Sequence, residues 1–426
     1  MNTLILGAGV SGVAAARLAC TLGHSVSVYD RSSKATMPLR ERGYAVHSGS
    51  WTDLLLRDID LVVVSPGFPE HSDPLRQALA ADVSVISELE FGARRLTVPY
   101  VAVTGTNGKT TVTSAVADML NASGVDALAA GNIGIPVCGL GAEPAAVVVL
   151  EASSFQLRFI DRFHPVAAGI TNVAADHLDW HLTVDAYVAA KARIFENMDA
   201  TDVLAYDADD AGARDLAAQA SCRTVPVSGT SVPPGGVGPQ RGSLVVGSAR
   251  LPLATGDPSF VSDLGIAAAI AGSVGGTEAG IASVLGAFEP GSHRRRTVGT
   301  KGGIRWIDDS KATNPHAARA AAASYQSVVL LAGGQNKQLD LADIAPDSVR
   351  HVVAFGEAAL EVATAFDGPI TVVGGLAEAV AAADRVARSG DTVLLAPGCA
   401  SFDEFASYAA RGDRFAELVA ELEASK

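Results

Sequence analysis

Val101-Ala-Val-Thr-Gly-Thr-Asn-Gly-Lys-Thr-Thr111 constrains this chain's architecture more than any other stretch. Its apolar start reads as the end of a strand. Gly105 and Gly108 allow a turn that side chains would block. Lys109, Thr110 and Thr111 then open a helix over Val112 to Leu120. Backbone N–H groups at a helix N-terminus point at an anion, and the helix dipole favours one there. Lys109 can reach terminal phosphate oxygens, and the Thr110 hydroxyl can ligate Mg²⁺. A full Walker pattern has a further glycine where Val103 stands, so this is a shortened P-loop. An ordinary glycine-rich turn is the alternative. Strand, glycines, Lys-Thr and helix in the right order favour phosphate binding.

At 426 residues the chain is long enough for about three domains. Its net charge of −14 argues against nonspecific nucleic-acid binding but leaves room for anionic small substrates in a locally positive cleft. Cys20, Cys138, Cys222 and Cys399 lack metal spacing and read as small hydrophobes of a reducing cytosol. The N-terminus reads as a strand and turn rather than a signal peptide. No uncharged run is both long and apolar enough to span a bilayer. A cytoplasmic protein without membrane insertion is expected.

Residues 3–30 read strand, turn, helix, strand. Gly7-Ala-Gly-Val-Ser-Gly12 is a dinucleotide-type fingerprint, and Asp30 stands where a ribose hydroxyl would be met. Taken alone, this piece would suit a nicotinamide-dependent oxidoreductase, which would leave the P-loop without a purpose. Leu61-Val-Val-Val-Ser-Pro-Gly67 is a buried strand followed by a turn at its carboxyl end, and a first boundary falls near Leu96. Glu151 follows the apolar strand Ala145 to Leu150. A carboxylate there, in a P-loop domain, is a candidate Mg²⁺ ligand. His177 lies between two aspartates just past the strand Ala167 to Ile170, a better site candidate than most lone histidines.

A helix is expected over Asp185 to Met198, with Tyr187, Ile194, Phe195 and Met198 on one face. Lys191 shares that face. The pattern leaves open whether it is buried with a partner or snorkels from the edge. Residues 224–258 read as hairpins with Pro-, Gly- and Ser-rich turns, and a second boundary falls near Glu289. His293-Arg-Arg-Arg296 is a cation cluster at that boundary. Strands at Ile304 to Ile307, Val328 to Ala332, Val352 to Phe355, Ile370 to Val373 and Thr392 to Ala396 make another doubly wound sheet. A helix is expected between Ser401 and Arg411 or beyond. Asp309, Lys311, Thr313, Lys337 and Ser401 all fall just past strand carboxyl ends and should share one rim.

Together these residues resemble the Mur ligase family. The anchors are Gly105 to Thr110, Glu151-Ala-Ser-Ser-Phe-Gln156, Asn172 to His177, Tyr187 to Asn197, His293-Arg294, Asp309-Ser-Lys-Ala-Thr-Asn314 and Pro397 to Ser401, spread over nearly the whole chain. The Asp309 to Asn314 stretch is similar to that of the members that add D-glutamate. The resemblance implies an α/β protein of three domains. Residues 1–96 would be a Rossmann-like UDP-substrate domain, 97–289 a P-loop ATPase, and 290–426 a Rossmann-like amino-acid domain. The implied activity is ATP-dependent ligation of D-glutamate to UDP-N-acetylmuramoyl-L-alanine through an acyl phosphate, by a monomer using Mg²⁺. Val10, Ser11, Asp30, Arg31, Ser65, Pro66 and Gly67 would meet the UDP part, with Asn132 and His177 near the muramoyl end. Gly105, Thr106, Asn107, Gly108, Lys109, Thr110 and Thr111 would hold ATP together with His293, Arg294 and Asp309. Thr110, Glu151, His177 and a carbamylated Lys191 would hold metal, and Lys109, His177, Lys191 and Arg294 would be catalytic. Lys311, Thr313, Lys337, Ser401 and Tyr408 would receive D-glutamate. The family's usual Asn pair is absent: Phe260-Val-Ser-Asp263 stands there.

Overall fold

The computed structural model describes residues 1–81 and 83–424. Its strands form three sheets. In the first, five parallel strands take the order Ala45–Ser48, Ser25–Asp30, Asn2–Leu6, Leu61–Val64, Ser84–Ser87. Strand order reverses at Asn2–Leu6, so the glycine turn after it lies at a switch point, where open α/β sheets bind ligands. Leu4 to Leu6 and Leu61 to Val64 are all buried, as expected of central parallel strands covered on both faces.

The second sheet has nine strands. The P-loop strand Tyr100–Thr104 lies between Ala167–Ile170 and Val147–Glu151, all parallel. The Pro-, Gly- and Ser-rich segment forms the expected hairpins at one edge, Val237–Gln240, Ser243–Val246 and Ala249–Pro252. The P-loop helix Lys109–Ala122 and the helix Pro258–Ser273 share a core through Val112, Val116, Leu120, Leu264 and Ile270. A second core joins Leu157, Phe163, Ile194 and Leu216 to Leu89 and Ala93 of the first segment. Through such shared burial, Met1–Val173 and Trp180–Phe288 make one compact unit.

The other unit comprises Ala174–Asp179 and Glu289–Lys426. Its six strands run in the order Arg296–Lys301, Ile304–Asp308, Thr392–Gly398, Val328–Gly333, Val349–Phe355, Ile370–Val372. All neighbours are parallel except the edge strand Arg296–Lys301. That strand escaped the sequence reading because Val298 is its one large apolar residue. Separate cores cover the two faces, one around Leu330, Val352 and Leu394, the other around Trp306, Leu331 and Phe415.

Two expected helices are corrected. Residues 401–407 form turns, and the last helix begins only at Tyr408, running to Ala424. The helix expected over Asp185 to Met198 is α-helical over Val184–Ala192 and tightens to a 3₁₀ turn at Arg193–Phe195. Its apolar stripe survives: Tyr187, Ile194 and Met198 are buried and Phe195 is half-buried. Lys191 is buried with them at 1% exposure, which resolves its position against snorkelling.

Candidate active site

At the N-terminal switch point, a Cβ on Gly12 would lie 1.9 Å from the Gly7 carbonyl oxygen, so no larger residue fits the helix start. Asp30 accepts from the Ala8 N–H at 2.9 Å and from the Ser32 N–H at 2.8 Å. Its carboxylate therefore braces the glycine turn. Val10 is 75% exposed beside that turn, Arg31 and Gly67 are exposed, and Ser11 and Pro66 are half-buried. Ser65 is buried, and its hydroxyl has no hydrogen-bond partner among the described residues. An orphaned hydroxyl at a switch point fits a polar ligand.

The P-loop is held from three sides. Gly108, at φ +82°, caps the helix Lys109–Ala122, and a Cβ there would lie 2.4 Å from Asp263 Oδ1. Asp263, the departure from the family pattern, thus lies against the phosphate loop and is 8% exposed. Thr106 N–H donates to the Asn172 carbonyl at 2.8 Å, and Asn107 N–H donates to Asn172 Oδ1 at 2.9 Å. Thr106 Oγ1 meets the Tyr187 hydroxyl at 3.0 Å. Lys191 Nζ donates to the Gly105 carbonyl at 2.6 Å and sits 4.4 Å from the Tyr187 ring centre. Lys109 Nζ folds back onto the carbonyls of Gly105 and Thr106, at 2.9 and 3.0 Å. Thr110 and Thr111 are half-buried in the first helical turn.

Glu151 closes the strand Val147–Glu151 at 2% exposure. Its Oε1 accepts from Asn132 Nδ2 at 2.8 Å. Its Oε2 is buried with no partner among the described residues. A buried carboxylate oxygen left unpaired is costly, and a hard divalent cation satisfies it. The chemistry of these residues therefore fits the expected metal. Asn132, expected near the substrate, also orients this carboxylate.

The rim expected from the third sheet forms within the second unit. His293 Nδ1 meets Asp308 Oδ2 at 2.7 Å, an orienting partner the sequence reading missed. Asp309 is 7% exposed; burial, with Arg295 and Arg294 pulling the other way, pushes its carboxyl up to about 6. Arg295 N–H donates to Asp309 Oδ1 at 3.3 Å, whereas Arg296 opens the edge strand. The expected cation cluster is thus divided: His293 and Arg295 meet Asp308 and Asp309, Arg296 belongs to the strand, and Arg294 is half-buried. Lys311 Nζ sits 5.1 Å from the Tyr408 ring. Thr313 is half-buried, and Ser401 is 2% exposed.

Lys337 Nζ donates to Asp176 Oδ1 at 2.8 Å, and Asn314 Nδ2 donates to Asp176 Oδ2 at 3.0 Å. Burial raises the Asp176 carboxyl, but Lys337, His177 and the Asn314 bond outweigh it and hold it below the usual range. His177 adopts φ 53°, and its Nε2 lies 3.8 Å from Asp176 Oδ2. This segment therefore gives Lys337 its counter-ion, a link between residues 161 positions apart.

Three family models match the chain: Mur ligase MurD-like, N-terminal domain, over residues 1–87; Mur ligase middle domain over 103–233; and Mur ligase, glutamate ligase domain, over 293–399. The chain is 42% identical to the UDP-N-acetylmuramoylalanine–D-glutamate ligase of Frankia casuarinae, over 98% of this chain and 94% of that one. It is 37% identical to the ligase of the same name from Desulfosudis oleivorans, over 99% and 96%. The pseudomurein peptide ligase type C of Methanothermus fervidus shares the fold, with a TM-score of 0.63 at 17% identity over 99% of both chains. With a P-loop, a glycine-turn switch point and a cationic strand rim carried on this three-sheet α/β architecture, the chain belongs to the Mur ligase family.

Proposed function

We propose that this enzyme uses ATP to join D-glutamate to UDP-N-acetylmuramoyl-L-alanine, giving ADP and phosphate, in peptidoglycan precursor synthesis. In the same reading it works as a cytoplasmic monomer. The observation that carries the substrate choice is the rim of the third sheet. Lys311 and Lys337 supply ammonium groups there, and Thr313 and Ser401 supply hydroxyls, for an amino acid with two carboxylates.

The reaction needs activation, because carboxylate and amine do not condense in water unaided. The alanine carboxylate attacks the γ-phosphorus of ATP, ADP leaves, and an acyl phosphate remains. The D-glutamate amine then attacks the acyl carbon, phosphate leaves, and the amine loses its proton. Phosphoryl transfer asks mainly for positioning and charge neutralisation. The N–H groups at the start of the helix Lys109–Ala122 orient the phosphates, and Lys109 exchanges its loop carbonyls for phosphate oxygens. Arg294 adds positive charge, while His293 and Asp309 hold the nucleotide. Mg²⁺, when bound, would supply further neutralisation; Thr110, Glu151, His177 and Lys191 as a carbamate are the residues assigned to hold it. Val10, Ser11, Asp30, Arg31, Ser65, Pro66 and Gly67 are assigned to the UDP moiety, Asn132 and His177 to the muramoyl end, and Tyr408 to D-glutamate.

Phosphate release tests the reading. With UDP-N-acetylmuramoyl-L-alanine, ATP and Mg²⁺ present, D-glutamate should raise release strongly, and L-glutamate or diaminopimelate should not. Lys109→Ala should abolish release yet keep binding of the UDP substrate. Equal stimulation by all three amino acids would overturn the assignment.

A further inference from the structure

The last helix carries Arg411 one turn from its start, and this arginine is fully buried. Nε donates to Ser310 Oγ at 3.0 Å, and Nη2 donates to the Ser310 carbonyl at 2.9 Å. Nη1 and Nη2 each reach the Cys399 carbonyl at 3.2 Å, and Nη1 also reaches the Ala400 carbonyl at 3.2 Å. A guanidinium has five N–H donors in a fixed fork, and here the acceptors are all neutral oxygens. Among the described residues no carboxylate bonds to it. Asp403, Asp308 and Glu404 act on it only at longer range; burial brings it down to about 10, so it stays a cation at neutral pH.

What it holds is the rim itself. Ser310 immediately precedes Lys311, and Ala400 immediately precedes Ser401. Ala400 and Gln335 exchange backbone hydrogen bonds, both at 2.9 Å, and Gln335 stands two residues before Lys337. Ser310 Oγ in turn donates to the Tyr408 carbonyl at 2.8 Å. Arg411 thus bonds two of these loops directly, and the third loop and the helix start, each also carrying a residue assigned to D-glutamate, are tied to it through Ala400 and Ser310.

We propose that Arg411 is the positioning residue that sets the spacing of the three loops receiving the amino acid, and that its charge, uncompensated by any contacting carboxylate, biases that site toward acidic amino acids. The proposal rests on the assignment of this rim to D-glutamate. A fork bonding four backbone or hydroxyl oxygens fixes relative loop position in a way that a point charge cannot. A buried cation without a bonded anion also leaves its field available to a dianionic ligand.

Steady-state phosphate release on the full enzyme tests it, beginning with the unmodified chain. Arg411→Lys keeps the charge and loses the fork. Its apparent KM for D-glutamate should rise about tenfold, with KM for ATP and for the UDP substrate held within about twofold. Arg411→Met also loses the charge, so it should further narrow the preference for D-glutamate over its neutral isostere D-glutamine. If circular dichroism finds either variant unfolded, Ser310→Ala decides, since it removes one acceptor and should raise KM for D-glutamate about threefold. An unchanged KM for D-glutamate in a folded variant overturns the proposal, as does a parallel rise for all three substrates. Absence of D-glutamate-dependent release in the unmodified chain instead sinks the rim assignment, and the proposal with it.

Discussion

Lys191 shows how burial and chemistry compete at one residue. Its ammonium is stabilised where it lies, by the Gly105 carbonyl at 2.6 Å and by the face of the Tyr187 ring. Carbon dioxide reacts only with the neutral amine. For an ordinary lysine of pKa ~10.4, deprotonation at pH 7 costs about 4.6 kcal/mol. Carbamylation would therefore have to be drawn forward by what a carbamate could do, namely offer anionic oxygens to a cation that an ammonium would repel. Lys191→Ala should lose most turnover, and a short added carboxylic acid should restore part of it by filling the vacated oxygen position. Intact mass under mild conditions checks the adduct directly. Normal kcat in the Ala variant would end this role. The stripe made this lysine visible in the sequence, because a cation at helical spacing among Tyr187, Ile194 and Met198 is a local pattern.

At the scale of elements, the helix Glu88–Ala93 is buried along its whole length. Ser87 caps it, with its hydroxyl accepting from the Glu90 N–H at 3.2 Å. Glu88 Oε1 accepts from the Cys138 N–H at 2.6 Å, while Oε2 is buried without a partner among the described residues. Burial pushes the Glu88 carboxyl from 4.5 up to about 7, against the hydrogen bonds from Cys138. The folded chain thus holds this proton where the unfolded chain releases it. Stability should fall as pH rises from 4.5 through about 7, by about 3 kcal/mol once Glu88 is ionised. Glu88→Gln should keep the Cys138 bond, flatten that slope and raise Tm above pH 7. An unchanged slope in the variant would place the titration elsewhere. The P-loop, the glycine turn and the strand-end residues were legible from sequence because each is a contiguous pattern with its own backbone geometry. Arg411 and Ser310 are 101 positions apart, and Asp176 and Lys337 are 161 apart. Nothing local to either partner marks such a pair, so only the folded topology reveals it.

The molecule as a whole divides less evenly than its three sheets suggest. Leu89 and Ala93 are buried against Ala102, Leu157 and Ile194, and Leu4 and Val62 share a core with Phe159 and Trp180. Both cores of the third sheet, by contrast, draw only on residues from Val298 onward. Residues 289–426 expressed alone should therefore melt cooperatively, whereas residues 1–96 alone should not, having lost the cover of two cores. Thermal melts of the two fragments followed by circular dichroism check this, and a cooperative melt of 1–96 would contradict it. The short excursion Ala174–Asp179 complicates any simple modularity. It clusters with the C-terminal unit although the chain on both sides of it belongs to the other, and it supplies the carboxylate that meets Lys337 at 2.8 Å. A chimera that exchanges only residues 290–426 with a relative would marry a foreign lysine to a resident aspartate. The heritable module is discontinuous, and a graft that carries residues 174–179 along with the tail transfers the ion pair intact.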